Sequence, residues 1–374
     1  MGSRPLNIMQ KQNQAKPDTT LLVITSLLIL FGLLMLSSAS TVVAFERHRD
    51  SYFFLKHQIV NGLIPGLVFG YLLYRLDYHR WQKWSRWLYF LALGLLLLVF
   101  IPGLGRVFNN ARSWVDLRWF VFQPSEIVKL LLIIVLASWL DKHADNMASF
   151  KRGFIPFVLL FGFVAALVLL QPDVGTLCVM TAIVGTMYFV AGAPLWHLGV
   201  ASLAGLAGLA GLIFAAPYRL ARFVTFWNPA HDPQGAGYQL NQALIAIGSG
   251  GFLGLGLGHS RQKFMYLPEV TADSIFAVVT EELGFLLSSL VVIAFFLLLW
   301  RGFKLLRGVP DRFGFLVGVG ILSWVGWQAF VNMAAIVGLM PLTGVPLPLV
   351  SYGGTSFAVL LGALGLLFQI TREA

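Results

Sequence analysis

Residues 274–300 read SIFAVVTEELGFLLSSLVVIAFFLLLW, an apolar run that exceeds the roughly 20 residues a helix needs to cross a bilayer. The chain contains 374 residues, of which 58% are apolar and only 11% are charged. Comparable runs lie on both sides of this one, at roughly 20–40, 56–74, 87–103, 123–140, 154–170, 173–191, 195–216, 312–339 and 349–369. We therefore expect an all-α, polytopic integral membrane protein with about ten transmembrane helices.

The lysine and arginine residues predict which way the chain is threaded. If the N-terminus is inside, fifteen of these residues lie in inner segments and ten in outer ones. The positive-inside rule then places both ends of the chain in the cytoplasm. Although the formal net charge is +10, the basic residues form short clusters between apolar runs. This pattern indicates contacts with lipid headgroups and not with nucleic acid.

The predicted organisation is a single membrane domain over residues 1–374. It has a cytoplasmic tail at 1–19, a retained first helix and one large extracytoplasmic loop, 217–273, between helices 7 and 8. In this topology the polar, proline-containing stretches all fall at the outer face, and they cover 106–129, 171–175, 217–273 and 341–356. Any chemistry is therefore expected at the outer face.

Asp273 stands where the large loop re-enters the membrane, directly before the run 274–300. A desolvated and unpaired carboxylate is costly there, so it normally faces a water-filled cavity or a cation. The alternative is a helix N-cap, because aspartate caps helices well and favours the helix dipole. On a helix, Glu281 is rotated by about 80° from Asp273 and Glu282 by about 180°, so only Glu281 is expected to share its side.

A second polar group begins the run 123–140, where Glu126 and Lys129 are i,i+3 neighbours on one helical face. The two residues either neutralise each other and fix helix packing, or they form a site. In such a site Lys129 meets a phosphate, and Glu126 orients it or holds a cation. Arg219 and Arg222 have the same spacing, and they either clamp a pyrophosphate or contact lipid headgroups.

Other motifs are excluded by their context. The glycines of 248–258 do not form a nucleotide-binding loop, because no strand precedes them and no Gly-Lys-Ser/Thr follows. They are expected to allow re-entrant turns or close helix contacts. The seven histidines have no metal-ligand spacing, so a zinc site is not expected. The single cysteine, Cys178, excludes an intrachain disulfide.

Five motifs in one order together resemble the SEDS proteins (shape, elongation, division and sporulation), whose members include RodA, FtsW and SpoVE. The resemblance covers essentially the whole chain. Within the family, the segments around 218–229 and 256–269 look closer to the division member than to elongation members. The motifs are FQPSEIVK at 122–129, NP at 228–229 with DPQGAGYQ at 232–239, LPE at 267–269 with Asp273, EELG at 281–284, and PLPLVSYGG at 346–354.

The resemblance implies a glycosyltransferase of the bacterial cytoplasmic membrane that polymerises lipid II, an undecaprenyl-pyrophosphate disaccharide-peptide, at the outer face. It implies a class B penicillin-binding protein as partner, together with other divisome or elongasome membrane proteins. The family's essential aspartate falls on Asp273, and substrate contacts are expected at Lys263, Glu269 and Ser351. The family commonly has His-Thr-Asp-Phe where this chain has Thr-Ala-Asp-Ser at 271–274, which puts the immediate partners of the aspartate in question.

In the expected mechanism, Asp273 deprotonates the 4-hydroxyl of the acceptor sugar for inverting attack on the donor anomeric carbon. Lys129, Arg219, Arg222 or a divalent cation (Mg²⁺ or Mn²⁺) near Glu126 stabilises the departing pyrophosphate. No organic cofactor is expected. The alternatives are a lipid II flippase and a non-catalytic divisome scaffold. A flippase must also bind at the inner face, where the loops lack comparable polar motifs.

Overall fold

The computed structural model describes residues 17–108, 111–214, 217–228, 232, 234–235 and 237–372, without the side chains of 209, 212–213, 217–219 and 222–223. Helices dominate these residues, and one small antiparallel sheet, ordered β1-β2-β3, lies between the fourth and fifth helices. The strands are β1 (Gly105–Phe108), β2 (Ala111–Asp116) and β3 (Val121–Phe122). The helices are α1 (Thr19–His48), α2 (Phe53–Gln58), α3 (Ile64–Arg75), α4 (His79–Leu98), α5 (Pro124–Lys142), α6 (Ile155–Leu170), α7 (Val174–Val190), α8 (Leu195–Phe214), α9 (Pro217–Trp227), α10 (Tyr238–Gly250), α11 (Ile275–Leu306), α12 (Arg312–Ile336) and α13 (Gly354–Thr371).

Each of the ten predicted apolar runs contains helix, which confirms the predicted fold class. A π-helical turn joins α2 to α3, so these two helices form one run. By length and composition, five helical segments in the described part of the chain qualify as membrane spans, and the number of crossings therefore stays a prediction. The five are Thr19–His48, Phe150–Leu170, Ile275–Leu306, Arg312–Ile336 and Gly354–Thr371.

Helix α4 begins eight residues before the predicted run 87–103 and ends at Leu98. Its buried residues are Ser85, Leu88, Ala92 and Leu96, spaced three or four apart along one face. The start of this helix is amphipathic, with charged and tryptophan residues on its other faces, and a search for uninterrupted apolar runs therefore misses it.

Helix α11 is broken at Gly284, which has φ 72° and ψ −179°. The preceding loop enters the break: the N–H groups of Leu255 and Gly256 donate to the carbonyls of Glu281 and Glu282 at 3.0 and 2.9 Å. These backbone pairs compensate for the interrupted helix, which is the condition for irregular backbone inside a membrane bundle. Of the two roles expected for the glycine-rich segment, the structure shows the close helix contact, while re-entry into the membrane stays a prediction. The predicted loop 217–273 also contains helices α9 and α10.

The centre of the bundle is formed by α5, α12 and α13, whose residues are mostly buried. The chain between α12 and α13 is not helical, yet residues 347–350 are buried. This segment, 341–353, returns into the bundle against α1, where a Cβ on Gly32 would lie only 2.3 Å from the Leu349 carbonyl oxygen. A buried irregular segment of this kind brings backbone carbonyls and polar side chains to the interior.

Candidate functional site

Asp273 lies directly before α11, and its side chain is 8% exposed. The side-chain amide of Gln239, on the first turn of α10, lies 3.3 Å from both carboxylate oxygens and 3.0 Å from the Ser274 hydroxyl oxygen. The side-chain amide of Asn332 on α12 donates to the main-chain carbonyl of Asp273 at 2.8 Å. Two different helices therefore hold the side chain and the backbone of Asp273.

The N-cap position of α11 falls on Ser274, and Asp273, the residue predicted either to cap or to face a cavity, stands one residue before it. A tight turn presents Asp273. The main-chain carbonyl of Glu269 accepts hydrogen bonds from the N–H groups of Ala272 and Ser274, at 3.0 and 3.2 Å. Glu269 itself has φ 51°, an uncommon conformation for a residue other than glycine, and its side chain is exposed. Its predicted role in substrate binding stays a prediction.

The 341–353 segment supports this turn from the other side. The hydroxyl of Ser351 donates to the Ala272 carbonyl at 2.6 Å, and the Tyr352 N–H donates to the Thr271 carbonyl at 2.8 Å. Ser351 is buried, so the structure gives it a positioning contact next to Asp273; its predicted contact with substrate is not tested.

A cleft of about 240 Å³ lies beside Gln239, and Asp273 itself is not among its described lining residues. Gln239 belongs to its wall and also contacts the Asp273 carboxylate, so one side chain joins the cleft to the buried acid. The described lining combines amide, hydroxyl and aromatic groups, which suits hydroxylated rings such as sugars. The lining residues are Thr225, Phe226, Gln234, Gly235, Tyr238, Gln239, Leu240, Pro268 and Leu342.

The predicted pair at the start of α5 is formed and buried. Lys129 Nζ lies 2.7 Å from Glu126 Oε1, and the two side chains are 2% and 3% exposed. Lys129 also donates to Gln328 Oε1 at 2.9 Å and lies 4.8 Å from the ring centre of Trp324. The neutralising alternative is thus realised in this structure, and binding of a phosphate by Lys129 requires exchange of one of these partners.

Helix α12 links the two polar centres. Gln328 contacts Lys129 and donates to the Pro346 carbonyl at 3.0 Å, while Asn332, one turn later, contacts Asp273 and donates to the Val345 carbonyl at 2.8 Å. The same short backbone segment therefore receives hydrogen bonds from both amides. A displacement of this segment would reach Lys129 and Asp273 together.

The four predicted polar stretches meet at one end of the bundle, as expected. Gln123 donates to the carboxylate of Asp173 at 3.2 Å, which joins the first stretch to the second. A Cβ on Gly175 would lie 2.2 Å from the Thr343 carbonyl oxygen, so the second stretch packs on the 341–353 segment. That segment in turn contacts the turn of Asp273, which belongs to the large loop.

Lys263, another predicted substrate contact, forms a buried ion pair with Glu282 at 2.9 Å and donates to the Gly258 carbonyl at 2.7 Å. Ser38 on α1 donates to both oxygens of Glu282, at 2.8 and 2.7 Å. Glu281 accepts the Arg261 N–H at 2.9 Å. These contacts bind the loop at 258–263 to α11 and α1, and they occupy the Lys263 ammonium group. Its contact with substrate stays a prediction.

The contacts of two predicted phosphate-binding residues are not described. Arg219 and Arg222 lie on α9, but their side chains fall outside the described residues, as does most of the predicted tail at 1–19. Of the three basic residues predicted to bind the pyrophosphate, Lys129 is the one whose side-chain contacts are described.

The expected divalent cation can be tested against the donor atoms. Within the described residues, no three His, Cys, Asp or Glu side chains come together to hold a metal. However, Glu126 Oε2 is buried and has no hydrogen-bond partner in the described structure, and Asp173 lies within electrostatic range of Glu126. One free carboxylate oxygen fits Mg²⁺ or Mn²⁺ that takes its other ligands from substrate phosphates and water, and not a cation held by protein alone.

Gln239, Gln328 and Asn332 are site residues for which the sequence pointed to no role. The signal that would have found the last two is a pair of amides four residues apart in an otherwise apolar helix, which is costly unless both are satisfied. Gln239 lies in a quoted motif, but nothing local in the sequence pairs it with an acid 34 residues away.

The chain is similar over nearly its whole length to known proteins. A family model described as "Cell cycle protein", for FtsW, RodA and SpoVE, matches residues 18–374. Stage V sporulation protein E of Bacillus subtilis (strain 168) is 43% identical over 96% of this chain and 98% of its own length. A probable peptidoglycan glycosyltransferase FtsW of Geobacter sp. (strain M18) is 39% identical over 95% of this chain and 97% of its own length.

Solved structures show the same architecture. A chain from a structure described as "Structural coordination of polymerization and crosslinking by a peptidoglycan synthase complex" aligns with a TM-score of 0.79 and 31% identity, covering 96% of this chain and 98% of that one. The rod shape determining protein RodA of Thermus thermophilus aligns with a TM-score of 0.71 and 30% identity, covering 96% and 97%.

Proposed function

The chain belongs to the FtsW/RodA/SpoVE family of cell cycle proteins, and we propose that it is a peptidoglycan glycosyltransferase of the bacterial cytoplasmic membrane. It transfers glycan from lipid II to a second lipid II or to a growing chain. The observation that carries the proposal is the buried carboxylate of Asp273, held by Gln239 at the edge of a cleft with sugar-compatible walls.

Asp273 acts as the general base. Its carboxylate accepts the proton of the acceptor 4-hydroxyl as the oxygen attacks the anomeric carbon of the donor, with inversion at that carbon. The bond to the donor pyrophosphate breaks in the same step. Because a pyrophosphate is a good leaving group, no second carboxylic acid is needed to protonate a sugar oxygen, unlike in glycosidases.

Positive charge near the pyrophosphate lowers the barrier further. Lys129 supplies it when its ammonium group exchanges Gln328 for a phosphate oxygen; Arg219 and Arg222 are further candidates. A divalent cation at Glu126 Oε2 would neutralise the departing phosphates. Chelation followed by addition of Mg²⁺ or Mn²⁺ tests this cation separately.

A lipid II flippase is the second candidate, because the broken helix α11 is a feature of transporters. The backbone groups at this break are paired with the glycine-rich loop, with the Phe285 N–H donating to the Gly251 carbonyl at 2.9 Å. The break is therefore filled by protein, which supports the enzyme over a substrate pathway at this point.

The proposed topology places both termini in the cytoplasm and the Asp273 end of the bundle outside, where lipid II is consumed. A class B penicillin-binding protein is the proposed partner, since a similar chain comes from a peptidoglycan synthase complex. Further divisome or elongasome proteins are proposed from the family membership. The preference for a division role over an elongation role also stays a proposal.

The test is polymerisation of lipid II by the purified protein, with and without a cognate class B partner. Asp273→Asn should reduce the rate by about 10²–10⁴-fold, the usual range for loss of a general base. Asp141→Asn is the matched control, because this acid lies at the far end of α5 and contacts Gln82. Wild-type rates in Asp273→Asn would refute the base; lipid II transport between leaflets without polymer from wild type would favour the flippase.

A further inference from the structure

The three-stranded sheet 105–122, called the hairpin below, carries exposed apolar side chains that the proposed reaction does not use. Trp119 is 97% exposed, and Leu117 and Phe120 beside it are 49% and 45% exposed. Val107 and Phe108 on β1 are 62% and 48% exposed. The register Phe108↔Ala111 places these two at the opposite end of β2 from Leu117–Phe120. Exposed apolar groups clustered as in 117–120 usually mark a surface that contacts another apolar phase or a partner.

The base of the hairpin is anchored to the bundle. Val99, Val115 and Phe122 form a small core against which Leu98, Leu104 and Ile127 pack. The Arg112 N–H donates to the Gln171 carbonyl at 3.1 Å, which ties β2 to the junction of α6 and α7. The hairpin is therefore held in one orientation relative to the ends of α4 and α5.

The strand register places the exposed turn at the level of the bundle end. The Asp116 N–H donates to the Leu104 carbonyl at 2.9 Å, and the next residues form the turn closed by the Leu117 N–H and the Phe120 carbonyl. Trp119 follows Asp116 by three residues, so at about 3.3 Å per residue it lies within roughly 10 Å of the level of Leu104. The exposed turn thus lies near the point where the chain leaves α4.

The charge of the hairpin suits an anionic surface. It contains three arginines and one aspartate, and that aspartate, Asp116, pairs with Arg106. Arg118 stands in the turn itself, is exposed, and has no carboxylate within salt-bridge distance among the described residues. Arginine beside tryptophan at a membrane boundary is the composition of an interface belt, and its guanidinium group matches phosphate geometry.

A partner strand is poorly accommodated at this site. β3 has only two residues, and the pairing of β1 with β2 is irregular between Arg106 and Phe108. Short or bulged edges discourage addition of a strand from another protein. The aromatic turn and its arginine therefore fit lipid better than an added strand.

We propose that the turn Leu117–Phe120 inserts into the headgroup layer of the bilayer, with Trp119 at the boundary with the acyl chains and Arg118 on the phosphates of anionic phospholipids. Only Gln123 separates β3 from α5, the helix that carries Glu126, so this anchor also holds the start of α5 at a fixed depth.

The test uses a fluorophore sensitive to its environment, attached at Phe120→Cys in a Cys178→Ala background, in vesicles of dioleoylphosphatidylcholine with or without 30% phosphatidylglycerol. A matched pair of control sites is Leu30→Cys, exposed on apolar helix α1, and Gln234→Cys, exposed beside the cleft. Lipids carrying a spin label near the headgroup should quench the Phe120 probe, whereas aqueous iodide should quench the Gln234 probe.

The arginine is tested with headgroup-labelled phosphatidylglycerol. Each basic residue near the surface enriches anionic lipid by about fivefold, so Arg118→Gln should remove a preference of that size while Lys151→Gln, at the other end of the bundle, leaves it unchanged. Equal quenching of the probe by labelled phosphatidylglycerol and phosphatidylcholine in the unsubstituted turn would overturn the role of Arg118. Iodide quenching equal to that at Gln234, or burial of the probe only after the class B partner is added, would overturn the lipid anchor itself.

Discussion

Replacing Gln239 by leucine should move the acid limb of the pH–activity profile to higher pH. The Gln239 amide lies 3.3 Å from both oxygens of Asp273. A hydrogen bond to a carboxylate favours the charged form, so its loss lets the carboxylate take up a proton at a higher pH. A base that is protonated cannot accept the acceptor proton, and the low-pH side of the profile therefore shifts upward.

The size of the shift follows from the geometry. Hydrogen bonds to charged groups contribute about 1.5–3 kcal/mol, and contacts as long as 3.3 Å belong at the lower end. Since 1.36 kcal/mol corresponds to one pH unit, the acid limb should move by about one unit. The same variant should regain most of its activity at alkaline pH, which a variant that merely unfolds would not do.

The assay is the initial rate of lipid II polymerisation at subsaturating substrate, measured across pH, because kcat/KM reports the ionisation of the free enzyme. Gln234→Leu is the matched control, since it makes the same substitution in the wall of the same cleft. An acid limb that stays in place in Gln239→Leu, while Asp273→Asn abolishes activity, would refute the role of Gln239. A shift of equal size in Gln234→Leu would show that the effect comes from the cleft in general.

Three further predictions concern stability, measured as thermal unfolding in detergent. Gly284→Ala should strongly destabilise the protein, because its Cβ would lie 2.2 Å from a backbone nitrogen at φ 72°, whereas Gly185→Ala, which has open space, should not; equal unfolding temperatures would contradict the tight crossing at the break. Lys129→Met should cost about 3–5 kcal/mol by leaving Glu126 charged and unpaired, and adding Glu126→Gln should restore most of it; no recovery in the double variant would count against the buried pair. An arginine partner lowers the pKa of the Asp18 carboxyl below 3.8, so Asp18→Asn should reduce stability at pH 6 and lose this effect as the pH falls below 3.8; a difference that persists at low pH would point to another cause.

The apolar runs show how far local patterns extend. Each of the ten runs located by hydropathy contains helix, because the tendency to bury about 20 apolar residues is a property of the segment itself. It misplaced α4, whose first turns are amphipathic, and it did not detect the break in α11. Gly284 resembles any other helix glycine in the sequence, and only its contact with Gly254 requires the positive φ.

In the candidate site, too, some residues were predictable from the sequence and others were not. Asp273 and the pair of Glu126 and Lys129 were predictable, since ionisable residues inside or beside apolar runs are rare and costly. Lys263 was predicted as a substrate contact, yet the structure pairs it with Glu282. A lysine in a polar loop carries no local sign of whether its ammonium group faces substrate or a buried carboxylate.

The sequence by itself determined that this protein is a membrane bundle with its polar motifs gathered at one end and an acid at the start of α11. Only the tertiary structure decided which groups surround that acid: Gln239 comes from 34 residues earlier and Asn332 from 59 residues later. The physical reason is that burial of a segment depends on its own composition, whereas pairing of polar groups depends on how distant segments pack. A polar group in a low-dielectric interior is costly unless it is hydrogen-bonded, and its partner can come from any segment that the fold packs beside it.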